Sequence, residues 1–223
     1  MMEITWLGWS SFKVKTSGKT IYFDPASGIY DEPGDIVLVS HSHSDHTNLS
    51  VLSKIRKPGT VTLTSRQNSS AIKGIGLIPG ESKVVDSVTV KACYAYNIVR
   101  MKSPGHPFHP KGFGLGWIVE SEGQRLYHTG DTDLTPEMEN IGPIDVMLVP
   151  ISGIYVMDID EAVKAVKMIR PKLAIPMHFG VFNAMDGAEH THYELNADPE
   201  EFAQKLKGIT EVRVLDQGES ITV

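Results

Sequence analysis

Asp35-Ile36-Val37-Leu38-Val39-Ser40-His41-Ser42-His43-Ser44-Asp45-His46 reads as a strand that runs straight into a cluster of ionisable side chains. Residues 35–40 are almost continuously apolar and β-branched, the pattern of a strand covered on both faces. The next six residues hold three His and one Asp in the order H-x-H-x-D-H. With 9 His in the chain, chance gives this order in about one such chain per thousand, too seldom for a mere polar turn. A strand end that opens into a loop displays side chains on a rigid support. Neutral imidazole and carboxylate are donors that suit zinc, manganese or iron. His41 and His43 alternate toward one ion, and Asp45 and His46, further round the turn, toward a second.

On the N-terminal side the pattern predicts strands over 3–7, 11–15 and 20–23, the last ending at Asp24-Pro25. Beyond the motif it predicts a short helix near 48–56, a strand at 60–64, a second short helix near 66–73, and strands at 83–85, 87–96, 114–121 and 124–128. A second buried-type strand over 145–149 precedes a helix over 158–169, with Asp158 and Glu161 spaced as a capping box and Pro171 as its stop. A strand at 173–177, a helix near 199–206 and strands at 211–216 and 220–223 follow. Sheets interleaved with helices in each half predict a layered α/β domain. No linker, repeat or low-complexity tract interrupts residues 1–223, which read as one domain.

Composition narrows the partners. Lys+Arg number 21 against 27 Asp+Glu, a net charge of −6. The densest basic group, Lys54-Ile55-Arg56-Lys57, is short and reads as a solvated helix end before Pro58, so nucleic acid is not an expected partner. The single Cys93 excludes an intramolecular disulfide and a cysteine zinc cluster. The most apolar window, 144–157, contains Asp145 and Pro150 and falls short of the roughly 20 apolar residues a span needs. With no basic leader at the N-terminus either, the expectation is a cytoplasmic protein with a small-molecule substrate and no membrane partner. A homo-oligomer is compatible with this reading.

Two later segments extend the motif. Thr129-Gly130-Asp131-Thr132-Asp133 is a turn at a strand end, placed either to display a carboxylate or simply to turn the chain. His178 follows a buried strand and precedes Gly180. Leu7-Gly8, Asp24-Pro25, the H-x-H-x-D-H run, Thr129-Gly130-Asp131 and Pro176-Met177-His178 together resemble, in order and spacing, the metallo-β-lactamase superfamily. The finer resemblance is to its small single-domain branch, which includes the ascorbate-6-phosphate lactonase-like hydrolases. It spans the chain and implies an αββα sandwich with metals in a cleft between the inner sheet edges. Carried over, His41 and His43 would bind a first metal, Asp45, His46 and His178 a second, and Asp131 would bridge them. The implied activity is a metal-dependent hydrolase using a metal-activated water on a small anionic ester, lactone or phosphoester. Asp45 and Asp131 would be its catalytic carboxylates. One or two divalent ions are implied, zinc first, with manganese or iron as alternatives.

The chain departs from that family at two positions. Trp9 stands where members often carry a His after Leu-Gly, which implies a changed pocket wall. Asn97 follows the mid-chain strand where many members supply a third His, and its neutral amide oxygen is a poor zinc ligand. Nearby His109 is a candidate to complete the site or to contact substrate. Asn97, His109 and Lys111 are candidates for binding a substrate phosphate or carboxylate. His128 reads as a hydrogen-bond partner behind the ligands, and His190 and His192 as exposed loop residues. Specificity is expected in loops 97–112 and 179–197. The missing His also keeps open a metal-binding protein without turnover. A nuclease ranks third, since no basic arm or inserted domain is evident.

Overall fold

The computed structural model of the protein describes residues 1–186 and 189–223, with side chains for all of these except 184–186 and 189–191. Alternating apolar residues build two seven-stranded sheets. The first contains β1 (Glu3–Gly8), β2 (Ser11–Thr16), β3 (Lys19–Phe23), β4 (Gly34–Val39), β5 (Arg56–Ser65) and β6 (Ile75–Leu77), with β18 (Ser220–Thr222) closing beside β1. The second contains β7 (Ser82–Val85), β8 (Val88–Ala95), β11 (Gly114–Ser121), β12 (Gln124–His128), β13 (Val146–Pro150), β14 (Leu173–Met177) and β17 (Glu211–Val212). Two small hairpins stand apart, β9 (Met101–Ser103) with β10 (His106–Pro107), and β15 (Gly180–Asp186) with β16 (Glu189–Leu195).

Each sheet changes character midway. Pairing is antiparallel from β18 to β3 and parallel from β3 to β6. It is likewise antiparallel from β7 to β12 and parallel from β12 to β17. Phe12, Ile21 and Leu38 of the first sheet meet Val90, Trp117 and Leu148 of the second in one buried cluster. Each such side chain contributes about 1.5–3 kcal/mol through burial. On the outer faces, Val37 and Val39 pack against Leu52 and Ile55 of α1 (Leu49–Ile55) and Ile72 of α2 (Ser69–Ile72). Ile118 and Met147 pack against Val166 of α3 (Ile159–Ile169) and Phe202 of α4 (Pro199–Leu206). The layers therefore run helix, sheet, sheet, helix, the αββα arrangement expected.

The capping box forms as the sequence predicts. Asp158 Oδ1 accepts from Glu161 N at 2.8 Å, and Glu161 Oε2 accepts from Asp158 N at 3.1 Å. Three expectations need correction. The basic run 54–57 is not a single helix end, because β5 begins at Arg56. The Arg56 guanidinium donates to Ile72 O at 2.7 Å, and Lys57 pairs with Asp35 at 2.8 Å. Residues 179–197 are not simply a loop, because hairpin β15–β16 occupies most of them; their mixed polar sequence hides the strand period. His192 is therefore an exposed strand residue, while the side chain of His190 lies outside the described residues. Finally, 211–216 holds only the two-residue strand β17. No helix among the described residues is long and apolar enough to cross a membrane.

Candidate metal centre

Parallel strands deliver the ionisable residues to one edge of the sandwich. Asp24 follows β3, His41 to His46 follow β4, Asp131 follows β12, and His178 follows β14. The carboxyl ends of parallel strands are where open α/β sheets bind ligands. The backbone there is strained, with Trp9, Asp24 and His178 in the left-handed region at φ 55°, 41° and 58°. Each costs about 1–2 kcal/mol outside glycine, and surrounding hydrogen bonds hold them. Trp9 O accepts from Trp6 Nε1 at 3.0 Å and from His178 N at 3.1 Å.

Two groups of donors result. His41, His43 and His109 bring one ring nitrogen each within 4.8 Å of one another, and Asp45, His46, Asp131 and His178 do the same with their own donor atoms. Asp131 lies between the groups. Its Oδ1 is 3.2 Å from His46 Nε2, and its Oδ2 is 3.2 Å from His178 Nε2 and 3.3 Å from His109 Nε2.

The other nitrogen of each buried imidazole is already engaged. His46 Nδ1 donates to Asp24 Oδ2 at 2.7 Å. Ser40 Oγ gives its one proton to Asp24 Oδ2, so His41 Nδ1 donates to Ser40 Oγ at 2.9 Å. His109 Nδ1 donates to Asn97 Oδ1 at 2.9 Å, and His178 Nδ1 pairs with Ser152 Oγ at 3.1 Å. That leaves Nε2 of His46, His109 and His178, with Asp131 Oδ1, buried and without hydrogen-bond partners. Orphaned buried donors that converge, each fixed from behind by an oxygen, are the arrangement a metal-binding imidazole requires. The residues fit a divalent ion in each group.

Electrostatics separate the two groups. For Asp131, burial opposes ionisation, but His178 and His46 outweigh it and hold the carboxyl well below its usual range. Asp45 falls to about 2 against burial, drawn mainly by His46 and His178. His46 rises well above its ordinary value because Asp131, Asp45 and Asp24 overcome burial. His178 rises to about 9 against burial through Asp131 and Asp45. In the other group burial wins: His41 is pushed well below its ordinary value, His43 is lowered, and His109 falls to about 4. Burial thus favours the neutral form in the first group, while the carboxylates favour protonation in the second.

Comparison with known proteins decides the family. The β-lactamase superfamily domain model matches residues 3–178. This chain belongs to that superfamily. A UPF0173 metal-dependent hydrolase of Anaeromyxobacter dehalogenans is 34% identical over 247 residues, covering 98% of this chain and 86% of the relative. The structure of a metallo hydrolase from the archaeon Ignicoccus hospitalis superposes with a TM-score of 0.78 at 28% identity, covering 99% of this chain and 97% of that one. A structure from Parabacteroides distasonis shares the fold with a TM-score of 0.84 at 24% identity, covering 98% and 94%. The protein is thus a metal-dependent hydrolase of the metallo-β-lactamase fold, and the Anaeromyxobacter relative carries the UPF0173 name.

The surroundings revise several expectations for this superfamily member. Asn97 is only 5% exposed. Its Oδ1 accepts from His109 N and Nδ1, and its Nδ2 donates to Asp133 Oδ1 and Tyr155 O. It holds His109 from behind and has no free atom for substrate. Lys111 lies outside the cleft, paired with Glu137 at 2.6 Å over the rings of Tyr94 and Tyr96. His109 stands with His41 and His43, as one of the two roles expected for it requires. Trp9 is more than a wall, since its Nε1 donates to Asp45 Oδ2 at 3.0 Å and its ring lies 4.5 Å from that of His178. His128 donates Nε2 to Ser10 O at 3.0 Å and accepts from Gly130 N at 3.1 Å, fixing the turn that carries Asp131. Ser40, Ser152 and Lys102 escaped the sequence reading, and Asp24 entered it only within the Asp24-Pro25 motif, with no role assigned.

A pH dependence follows for the superfamily fold stripped of metal. His178 has a raised pKa of about 9. Its proton therefore stabilises the native state fully below about pH 6.5, the unfolded value, and less as pH rises through about 9. The melting temperature of chelator-treated protein is expected to fall across that interval. Protein reloaded with a divalent ion, which replaces the proton, is expected to be flatter. Equal slopes in calorimetry with and without metal would contradict the assignment.

Proposed function

We propose that this hydrolase cleaves a small anionic ester, lactone or phosphoester at a dinuclear centre. The reading is carried by the partnerless atoms of His46, His109, Asp131 and His178, of which His109 and Asp131 line a cleft of about 350 Å³. His41, His43 and His109 would hold one ion, Asp45, His46 and His178 another, and Asp131 would contact both. Divalent ions bound there supply an acidified water and Lewis-acid stabilisation of charge developing on oxygen. Zinc suits the imidazole-rich set, with manganese or iron as alternatives. Asp45 lines the cleft, and the Trp9 indole fixes its Oδ2, so its carboxylate would be held in one orientation beside the second ion, where it would orient the attacking water. Asp24, Ser40 and Asn97 keep His46, His41 and His109 in the tautomer that presents Nε2, and Ser152 backs the ring of His178. The volume of the cleft, at the low end of the range for ligand pockets, favours a small molecule.

The test is metal content per chain by elemental analysis, paired with hydrolysis of a phosphodiester, a phosphomonoester, a lactone and a β-lactam, each with and without chelator. Two ions per chain and chelator-sensitive turnover of one of the first three are expected. Protein that takes up no metal on reconstitution would remove the reading.

A further inference from the structure

Several cleft residues have no part in the metal centre. Lys102, on β9, is the one Lys or Arg side chain lining the cleft among the described residues. Its side chain is exposed and makes no ion pair among the described residues, so the ammonium is free to meet an anion in the cleft. Its backbone is well fixed. Two residues earlier, the Arg100 guanidinium donates to Asp133 Oδ1 and Gly153 O, each at 2.8 Å. Seven residues later the hairpin arm returns to His109, whose backbone exchanges hydrogen bonds with Asn97. The same segment that carries a candidate metal ligand thus holds a cation over the cleft.

The opposite character lines the remaining wall. Phe108 meets Tyr155 edge to face with ring centroids 4.9 Å apart, and Tyr155 lies 6.2 Å from Tyr193. Tyr193 continues the row to Trp9 at 6.1 Å, nearly stacked. Phe108, Tyr155 and Tyr193 all line the cleft and are only half-buried. An unpaired ammonium beside a run of aromatic faces recognises two things at once, an anionic group and a flat apolar body.

We propose that Lys102 anchors the anionic group of the substrate and that Phe108, Tyr155 and Tyr193 receive a planar ring, so that the hydrolase acts on ring-bearing carboxylates or phosphates. The proposal rests on the dinuclear reading of the same centre and adds the substrate class. Lys102 is a binding residue, and the aromatic row sets specificity.

Calorimetric titration of the metal-loaded protein with phenylphosphonate and methylphosphonate tests it. The wild type is expected to favour phenylphosphonate by about tenfold, a typical gain for an aryl group entering an aromatic pocket. Lys102→Gln is expected to weaken both ligands by about tenfold, and Tyr155→Leu phenylphosphonate alone, with metal content unchanged in each variant. Equal affinity of the wild type for the two phosphonates, or unaltered binding by a fully metallated Lys102→Gln variant, would overturn the proposal and leave the metal centre standing. Wild-type protein that holds no divalent ion would bring down the underlying reading and the proposal with it.

Discussion

Asp131→Asn is expected to lower turnover by roughly 10²–10⁴-fold and to remove most of the bound metal. The size follows from the position of the carboxylate. Its two oxygens face His46, His178 and His109 at 3.2–3.3 Å, so a single substitution touches both donor groups. Asn keeps the shape and deletes the charge that holds His46 and His178 in their raised protonation states. Breaking a buried ionic set by removing one partner costs about 3–5 kcal/mol, and 1.4 kcal/mol is a factor of ten in rate or affinity. Elemental analysis and chelator-sensitive kinetics on the same preparation check this. A variant that keeps its full metal complement and its rate would show that Asp131 only shapes the turn at the end of β12.

His109→Ala is expected to reduce bound metal from two ions to about one and turnover by about 10²-fold. The first donor group has three imidazoles, and two of them come from one short loop. His109 is the member from the other sheet's loops, so its loss leaves His41 and His43 without a third direction of approach. The second group keeps all four of its donors, and one ion should therefore remain. Asn97 Oδ1 would lose its ring partner but keep the His109 backbone N–H, so folding should be little affected. Metal stoichiometry and a melting curve separate the two effects. Retention of two ions would make His109 a substrate contact.

Much of this arrangement was legible because it is local. The β-branched run before Ser40, the H-x-H-x-D-H order and the Asp158–Glu161 capping box each depend on residues a few positions apart, and strands such as 114–121 and 173–177 declared themselves by composition. What escaped depends on contacts that close only in three dimensions. Asp24 reaches His46 across 22 positions, and nothing in the Asp-Pro dipeptide names its partner. Asn97 and Lys111 looked like substrate contacts from their loop, but the hairpin β9–β10 turns the first inward behind His109 and leaves the second outside. Lys102 was overlooked for the same reason. Strands of two and three residues are too short to carry a readable period.

The repeated antiparallel-then-parallel plan of the two sheets bears on how the protein is made. Neither sheet owns a complete centre. The first contributes His41, His43, Asp45 and His46, while the second and its loops contribute His109, Asp131 and His178. A nascent chain that has released only its first hundred residues exposes the histidine run without the groups that would close around an ion. The second donor group is therefore complete only after His178 has emerged and the two sheets have met face to face.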